Sequence, residues 1–273
     1  MNRKVRLAGQ VVLITGAGSG IGRAAAIAAA ARGMRPVLVG RRQAALHETL
    51  SLLPGGAGAA SVGWAFACDI TVPQQRHDLL AEMTRREGCL DILINNAGAF
   101  HMGPLSAMTD ATIVETFAVN LAAPSALIRD SLDLLGRAER PVIVNVGSVN
   151  GDLPDPEFSV YSAAKSGLRG LSDALRLELA PRGIRVCYIA PRATDTAPPG
   201  TAPPGTAPYG DAHDDQGVAG NANVSLDQPE IVAEMLWSAV ERGARSACRG
   251  PAERCRILLR RLWPGLYDSL CIR

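Results

Sequence analysis

The chain has 273 residues, 47% hydrophobic and 20% charged. That is an ordinary balance for a soluble globular protein, and a chain of this size can bury roughly three quarters of its unfolded surface without staples. Its net charge of +2 is too small for a nucleic-acid partner. Six cysteines without a C-x-x-C pair and four histidines without ligand spacing speak against zinc or a disulfide framework, so no metal is expected and cytoplasmic, reduced thiols are.

In chain order, Arg3, Lys4 and Arg6 stand before an apolar stretch, as in a signal peptide, but Gly9-Gln10 interrupts it and a buried strand over Val11–Thr15 explains it better. Thr15-Gly16-Ala17-Gly18-Ser19-Gly20-Ile21-Gly22 follows that strand and opens a helix predicted over Gly22–Arg32. Glycines here permit a tight turn and close approach of backbone to a pyrophosphate, and the helix N-terminus supplies N–H groups and a favourable dipole. Ala24–Ala31, flanked by Arg23 and Arg32, is too short to span a membrane.

A strand over Val37–Gly40 ends in Gly40-Arg41-Arg42. NAD-preferring domains usually place an acid near this point for the ribose hydroxyl. Glycine followed by two arginines suits a 2′-phosphate instead, so NADP(H) is favoured over NAD(H). The plain alternative is that the arginines begin a solvated helix.

A helix over Ala44–Leu53, a strand over Val62–Ala67 and a helix over Pro73–Arg86 come next, then a strand over Ile92–Asn95 that runs into Asn95-Asn96-Ala97-Gly98. Thr109–Leu135 reads as one helical stretch or a broken pair. Strands over Val142–Val146 and Ile184–Ile189 flank a helix over Tyr161–Leu179. Nearly continuous apolar strands alternating with helices imply a doubly wound parallel sheet covered on both faces, with ligands beyond the carboxyl ends of its strands.

Thr196–Gly220 breaks the pattern with three copies of a five-residue Pro/Gly-rich unit. It reads either as a mobile flap over the substrate or as an incidental expansion. A helix over Gln228–Arg242 resumes the fold. After Pro251, Leu258, Leu259, Leu262, Trp263, Leu266 and Leu270 recur at helical spacing with Arg254, Arg256, Arg260 and Arg261 between them. That is either a helix docked on the domain or a subunit, or a helix on a membrane surface.

Within the helix Tyr161–Leu179, Tyr161 and Lys165 lie one turn apart on one face. An ammonium beside a phenol favours the phenolate and lets the tyrosine exchange protons nearer neutral pH. The only lysines are Lys4 and Lys165, against 26 arginines. A chain that otherwise uses arginine for positive charge keeps a compact ammonium beside this phenol.

The glycine segment, Asn95-Asn96-Ala97-Gly98, Asn120, Ser148 and Tyr161-x-x-x-Lys165, with the serine thirteen residues before the tyrosine, together resemble the short-chain dehydrogenase/reductase family over roughly Leu7 to Ile189. The resemblance implies a Rossmann-like α/β/α domain over residues 1–250, with 251–273 as an amphipathic extension. It implies an NAD(P)-dependent oxidoreductase acting on a carbonyl or alcohol. Tyr161 would be the general acid/base, Lys165 would hold its pKa down and bind the nicotinamide ribose, Ser148 would bond the substrate oxygen, and Asn120 would anchor a proton-relay water. Gly16, Ser19, Gly20, Ile21 and Gly22 would surround the pyrophosphate, with Arg41 and Arg42 at the ribose. Asp69 and Ile70 would line the adenine, and Asn96, Ala97, Gly98, Pro191 and Thr196 would complete the cofactor site.

One departure stands out: Pro191-Arg192 replaces the family's Pro-Gly, so Arg192 is expected to be strained or to reach the cofactor phosphates or substrate. Substrate contacts are expected from Val149–Ser159, the Pro-rich segment and Gln228–Arg242. The expected substrate is a small, apolar carbonyl or alcohol, and the chain is expected to self-associate. The rival readings are a non-catalytic NAD(P)-binding sensor or scaffold, and a protein held peripherally at a membrane by its tail.

Overall fold

The computed structural model describes residues 7–54, 63–195 and 226–271. Seven parallel strands form one sheet in the order β3-β2-β1-β4-β5-β6-β7. They are β1 (Val11–Thr15), β2 (Arg35–Gly40), β3 (Trp64–Ala67), β4 (Ile92–Asn95), β5 (Val142–Val146), β6 (Arg185–Ala190) and β7 (Ser246–Cys248). The helices are α1 (Gly20–Ala31), α2 (Gln43–Ser51), α3 (Pro73–Arg86), α4 (Asp110–Phe117), α5 (Ala123–Leu135), α6 (Ser159–Glu178), α7 (Pro229–Arg242), α8 (Pro251–Leu262) and α9 (Pro264–Cys271).

The strands are apolar on both faces because both faces are covered. From β1, Val12 and Ile14 join the core under α1 and α7. Val11 and Leu13 join the core on the opposite face, under α3 and α5. Alanines 24, 25, 26, 29 and 30 of α1 leave room for Trp237 of α7, fully buried with its indole N–H donating 3.1 Å to Ala25 O. The chain reverses its winding between β1 and β4, where the loops diverge and open a crevice at the carboxyl ends of the strands.

All six predicted strands are present, three with the predicted bounds; Val62 lies outside the described residues. β7 had no apolar run to announce it: it is three residues long and pairs only with β6. The stretch Asp110–Leu135 is one helical rod interrupted by a wide π-turn over Ala118–Ala122. The Pro/Gly-rich repeats lie outside the described residues.

Glycine is required where β5 ends. A side chain at Gly147 would begin 2.1 Å from the Tyr188 ring, which comes from β6 and is fully buried. Gly170, midway along α6, meets nothing within 4 Å. We expect Gly147→Ala to destabilise by on the order of 1–3 kcal/mol through overpacking. Gly170→Ala should instead stabilise by about 0.5–1 kcal/mol by helix propensity. Urea unfolding midpoints check both; equal shifts of either sign would contradict the packing at Tyr188.

Candidate active site

The crevice begins where β1 ends. Gly16 has φ +66°, and a side chain there would begin 2.9 Å from Asn96 Nδ2 and 3.0 Å from the Ala97 Cα. At Gly22 a Cβ would fall 2.2 Å from Gly16 O. Both positions need glycine so that the turn folds against α1 and against the loop after β4. Ser19, the extended residue before α1, makes no side-chain cap bond, so the first-turn N–H groups keep their capacity for an anion.

Thr15 and Asn96 lock this turn to the β4 loop. Asn96 Nδ2 donates 2.9 Å to Thr15 O and 3.3 Å to Gly16 O, while the backbone N–H groups of Asn96 and Ala97 donate to Thr15 Oγ1 at 2.9 and 3.0 Å. Asn96 therefore shapes the site from behind, and Ala97 and Gly98 form its wall. Gly20, Ile21 and Gly22 likewise sit in the first turn of α1 behind a crevice lined by Gly16, Gly18 and Ser19.

At its far end the crevice is lined by Gly40, Arg41 and Arg42 after β2 and by Asp69 and Ile70 after β3. The Asp69 carboxyl is partly buried, which opposes ionisation. Hydrogen bonds from Thr71 Oγ1 (2.7 Å) and Thr71 N (2.9 Å), together with the nearby Arg41 charge, outweigh this and hold it below the usual carboxylate range. Arg41 and Asp69 line the same crevice.

The sequence-predicted catalytic quartet comes from three elements. Tyr161 and Lys165 are one turn apart on α6, with Lys165 Nζ 5.6 Å from the centre of the Tyr161 ring. Lys165 is buried, its Nζ donating 3.0 Å to Val146 O at the end of β5. Burial lowers its pKa to about 8. Asn120 is carried inward by the π-turn. Its Nδ2 donates to Ala99 O (2.7 Å) and Thr116 O (2.9 Å), while its buried Oδ1 has no hydrogen-bond partner among the described residues. A Cβ at Gly98 would sit 3.0 Å from Asn120 Oδ1 and 3.8 Å from Lys165 Nζ, so both polar atoms converge on that glycine.

Ser148 follows β5 and caps a short turn over Val149–Gly151, its Oγ accepting from Asn150 N at 3.1 Å. Its backbone is held by Tyr188, whose hydroxyl donates 3.2 Å to Ser148 O and accepts 3.3 Å from Ser148 N. Tyr188 looked like one more apolar residue of a strand, and only its place under Gly147 reveals this role. A chain of buried amides was also invisible to sequence reading: Asn95 Nδ2 donates to Asn145 Oδ1 (2.9 Å), and Asn145 Nδ2 to Ser172 Oγ (2.9 Å), tying β4, β5 and α6 together. Phe100 stacks edge-on against Tyr161 at 5.0 Å and lies 5.5 Å from Phe158, so an aromatic surface adjoins the phenol.

The expectation for Arg192 is corrected. Among the described residues only Glu157 is a non-glycine with positive φ, so Arg192 is not in the left-handed region. Its guanidinium is engaged by Asp227 (2.8 Å) and Glu253 (3.2 Å), and it is absent from the crevice lining. Pro191 is buried beside it, its carbonyl accepting from Val149 N at 2.9 Å. Thr196 lies outside the described residues.

The chain matches the family model described as short chain dehydrogenase over residues 10–202. It is 33% identical over 188 residues to an uncharacterized oxidoreductase of Thermotoga maritima, covering 69% of this chain and 73% of that one. It is 31% identical over 198 residues to human dehydrogenase/reductase SDR family member 4, covering 72% and 70%. A short-chain dehydrogenase from Streptomyces avermitilis superposes with a TM-score of 0.77 at 28% identity, over 96% of this chain and 94% of that one. A 3-ketoacyl-(acyl-carrier-protein) reductase from Brucella melitensis, solved with NADH, superposes with a TM-score of 0.65 at 29% identity, over 70% and 78%. The chain belongs to the short-chain dehydrogenase/reductase family. It is an oxidoreductase acting on CH–OH groups with a nicotinamide cofactor.

Because burial sets the folded pKa of Lys165 below its ordinary 10.5, the fold disfavours the ammonium. The penalty is complete below about pH 8 and fades as pH rises from about 8 towards 10.5. Lys165→Met should therefore raise stability near neutral pH by on the order of 1–3 kcal/mol, net of the lost bond to Val146 O. Urea titrations without added nucleotide should show the gain shrinking towards about pH 10. A gain that does not change with pH would mean the lysine is not buried as drawn.

Proposed function

We propose that this protein is an NADP(H)-dependent reductase of carbonyl compounds, run in reverse on the corresponding secondary alcohols, with Tyr161 as the general acid and base. The observation that carries this reading is that the buried Lys165 ammonium and the unpaired Asn120 Oδ1 converge on Gly98, with the same ammonium 5.6 Å from the centre of the Tyr161 ring. Solvating an unreactive core does not require an ammonium buried beside a phenol. The bound dinucleotide supplies or accepts the hydride.

The crevice fits such a cofactor: a glycine turn at a helix N-terminus for the pyrophosphate (Gly16, Ser19, with Gly20, Ile21 and Gly22 behind), and Asp69 and Ile70 at the adenine end. Ala97 and Gly98 form the wall beside Lys165. Arg41 and Arg42, with Gly40 where an acid would stand, supply guanidinium donors for a 2′-phosphate. The Brucella melitensis reductase was solved with NADH, so the preference for the 2′-phosphate rests on these arginines alone.

Tyr161 O–H donates a proton to the substrate oxygen as the carbon is reduced, and the Lys165 ammonium stabilises the phenolate left behind. Ser148 Oγ bonds the same substrate oxygen and orients it. Asn120 Oδ1 holds the proton path that restores the tyrosine. Phe100 and Phe158 offer the substrate an apolar surface, which suits an apolar body around the carbonyl. In this reading residues 1–250 act as one domain in the cytoplasm and self-associate. Cys68, Cys89, Cys187, Cys248 and Cys255 are free, in keeping with a reducing compartment.

Tyr161→Phe should leave nucleotide affinity within about twofold and cut turnover by at least roughly 10²-fold. Unchanged turnover removes Tyr161 from the chemistry, and nucleotide binding with no turnover of any carbonyl or alcohol favours the sensor or scaffold. Arg41→Asp with Arg42→Ala should weaken NADPH by about tenfold more than NADH, as fluorescence titration reads directly. Equal losses would return the site to NAD(H).

A second reading rests on the tail. Leu258, Leu262, Trp263 and Leu266 are all more than half exposed along α8 and α9, with arginines between them. Contact with an anionic membrane surface through 251–273 would bury that ridge. Liposome flotation of the full chain and of a Trp263→Ser variant separates this from a ridge that stays in water.

A further inference from the structure

Two groups of ion pairs outside the cofactor crevice meet on α8. In the first, Asp152 is buried directly after the turn that Ser148 caps. Its carboxylate accepts from Arg169 of α6 at 3.2 Å and from Arg261 of α8 at 2.9 Å, and its backbone carbonyl accepts from Arg260. Arg169 stands one turn beyond Lys165 and lies 4.8 Å over the Tyr188 ring, the ring whose hydroxyl holds the Ser148 backbone. In the second, the buried Asp227 takes Arg192 (2.8 Å) and Arg249, and Arg192 reaches on to Glu253 in the first turn of α8 (3.2 Å).

The tail helix is thus fastened at both ends. Glu253 ties its first turn to the loop leaving β6, and Arg260 and Arg261 tie its last turn to the loop leaving β5. Those two loops touch each other through the bond from Val149 N to Pro191 O. Most of α8 is exposed, and long arginine side chains attach it where a core helix would use apolar packing. Asp152, at the head of the acidic segment, and Arg260 and Arg261 of the tail, separate in sequence, are partners in space. Arg256 adds a further positive charge close to Asp155.

We propose that Asp152 and Arg192 are positioning residues: through them the tail helix clamps the loops after β5 and β6 and so holds Ser148 in register with Tyr161 and Lys165. The inference rests on the reading of Tyr161 and Ser148 given above. The physical link is short. Asp152 is covalently four residues from Ser148, and Arg169 bridges it to the helix that carries the tyrosine and lysine. Removing one guanidinium from a buried carboxylate leaves charge that must be resolvated, and the loop backbone opens to let water in. Arg261 is more than half exposed, so salt should loosen that end of the clamp.

The test uses the full chain with Arg260→Ala/Arg261→Ala, with Arg192→Gly, and with Arg261→Lys as the conservative variant. Hydrogen exchange is followed by mass spectrometry on peptides covering 148–158 and, as control, 11–31. Turnover is followed with NADPH and the best carbonyl from a broad panel. Exchange in 148–158 should rise by about tenfold in the double variant and in Arg192→Gly, with the control peptides unchanged. Turnover should fall by about tenfold while the KM for NADPH stays within about twofold. Arg261→Lys should restore most of both, and about 0.5 M NaCl should reproduce the effect in the parent chain. Unchanged exchange in 148–158 overturns the clamp, and so does faster exchange with full turnover, which would make the tail a docked surface and nothing more. A parent chain that binds nucleotide but reduces no carbonyl strikes the catalytic reading instead, and the exchange comparison still decides whether the tail holds the loop.

Discussion

Lys165 Nζ is an ammonium buried at the carboxyl end of the sheet, and much of the surrounding architecture follows from keeping it there. Water is the natural solvent of such a group, and removing it favours the neutral amine, which is why its pKa falls to about 8. The protein offers in return one carbonyl, Val146 O, and the electron-rich face of a phenol. Gly98, lacking a side chain, lets Asn120 Oδ1 approach the same point. An ammonium left partly unsatisfied by the protein is one that interacts strongly with hydroxyl groups brought to it, and that is the property a ribose- and phenol-binding lysine needs.

Holding these groups in place falls to polar contacts behind the site. The Asn95–Asn145–Ser172 chain couples β4, β5 and α6 through buried hydrogen bonds, which are costly to break and so resist relative sliding of those elements. Thr15 and Asn96 do the same between the glycine turn and the β4 loop. Tyr188 fills the space under Gly147 and fastens both polar groups of the Ser148 backbone. Position at the site is therefore set by hydrogen bonds and packing made within the protein itself.

Arg192 shows how one substitution can be absorbed by a change elsewhere. The resemblance led to an expectation of strain or of cofactor contact, because arginine stands where the family has glycine. The backbone there does not need glycine's freedom, and the guanidinium turns away to a buried aspartate and to the tail. The tail in turn presents one face to the domain through arginines and leaves Leu258, Leu262, Trp263 and Leu266 exposed. A docked helix and a membrane-surface helix, the two alternatives on sequence, are not exclusive for an element with one attached side and one exposed side.

What local sequence determined is whatever depends on neighbours along the chain. Continuous apolar runs marked six strands because a strand covered on both faces is apolar at nearly every position. The glycine turn and the Tyr161–Lys165 pair were legible because a turn and a helical repeat fix their spacing within a few residues. Tertiary structure alone decided the rest: β7, which exists only as a partner for β6; the π-turn that aims Asn120; the burial that shifts Lys165; and Tyr188 beneath Ser148. It also paired Asp152 with Arg261 across more than a hundred residues of chain. Such contacts depend on which surfaces the sheet brings together, and no periodicity in the sequence records the distance between groups that meet only when the core closes.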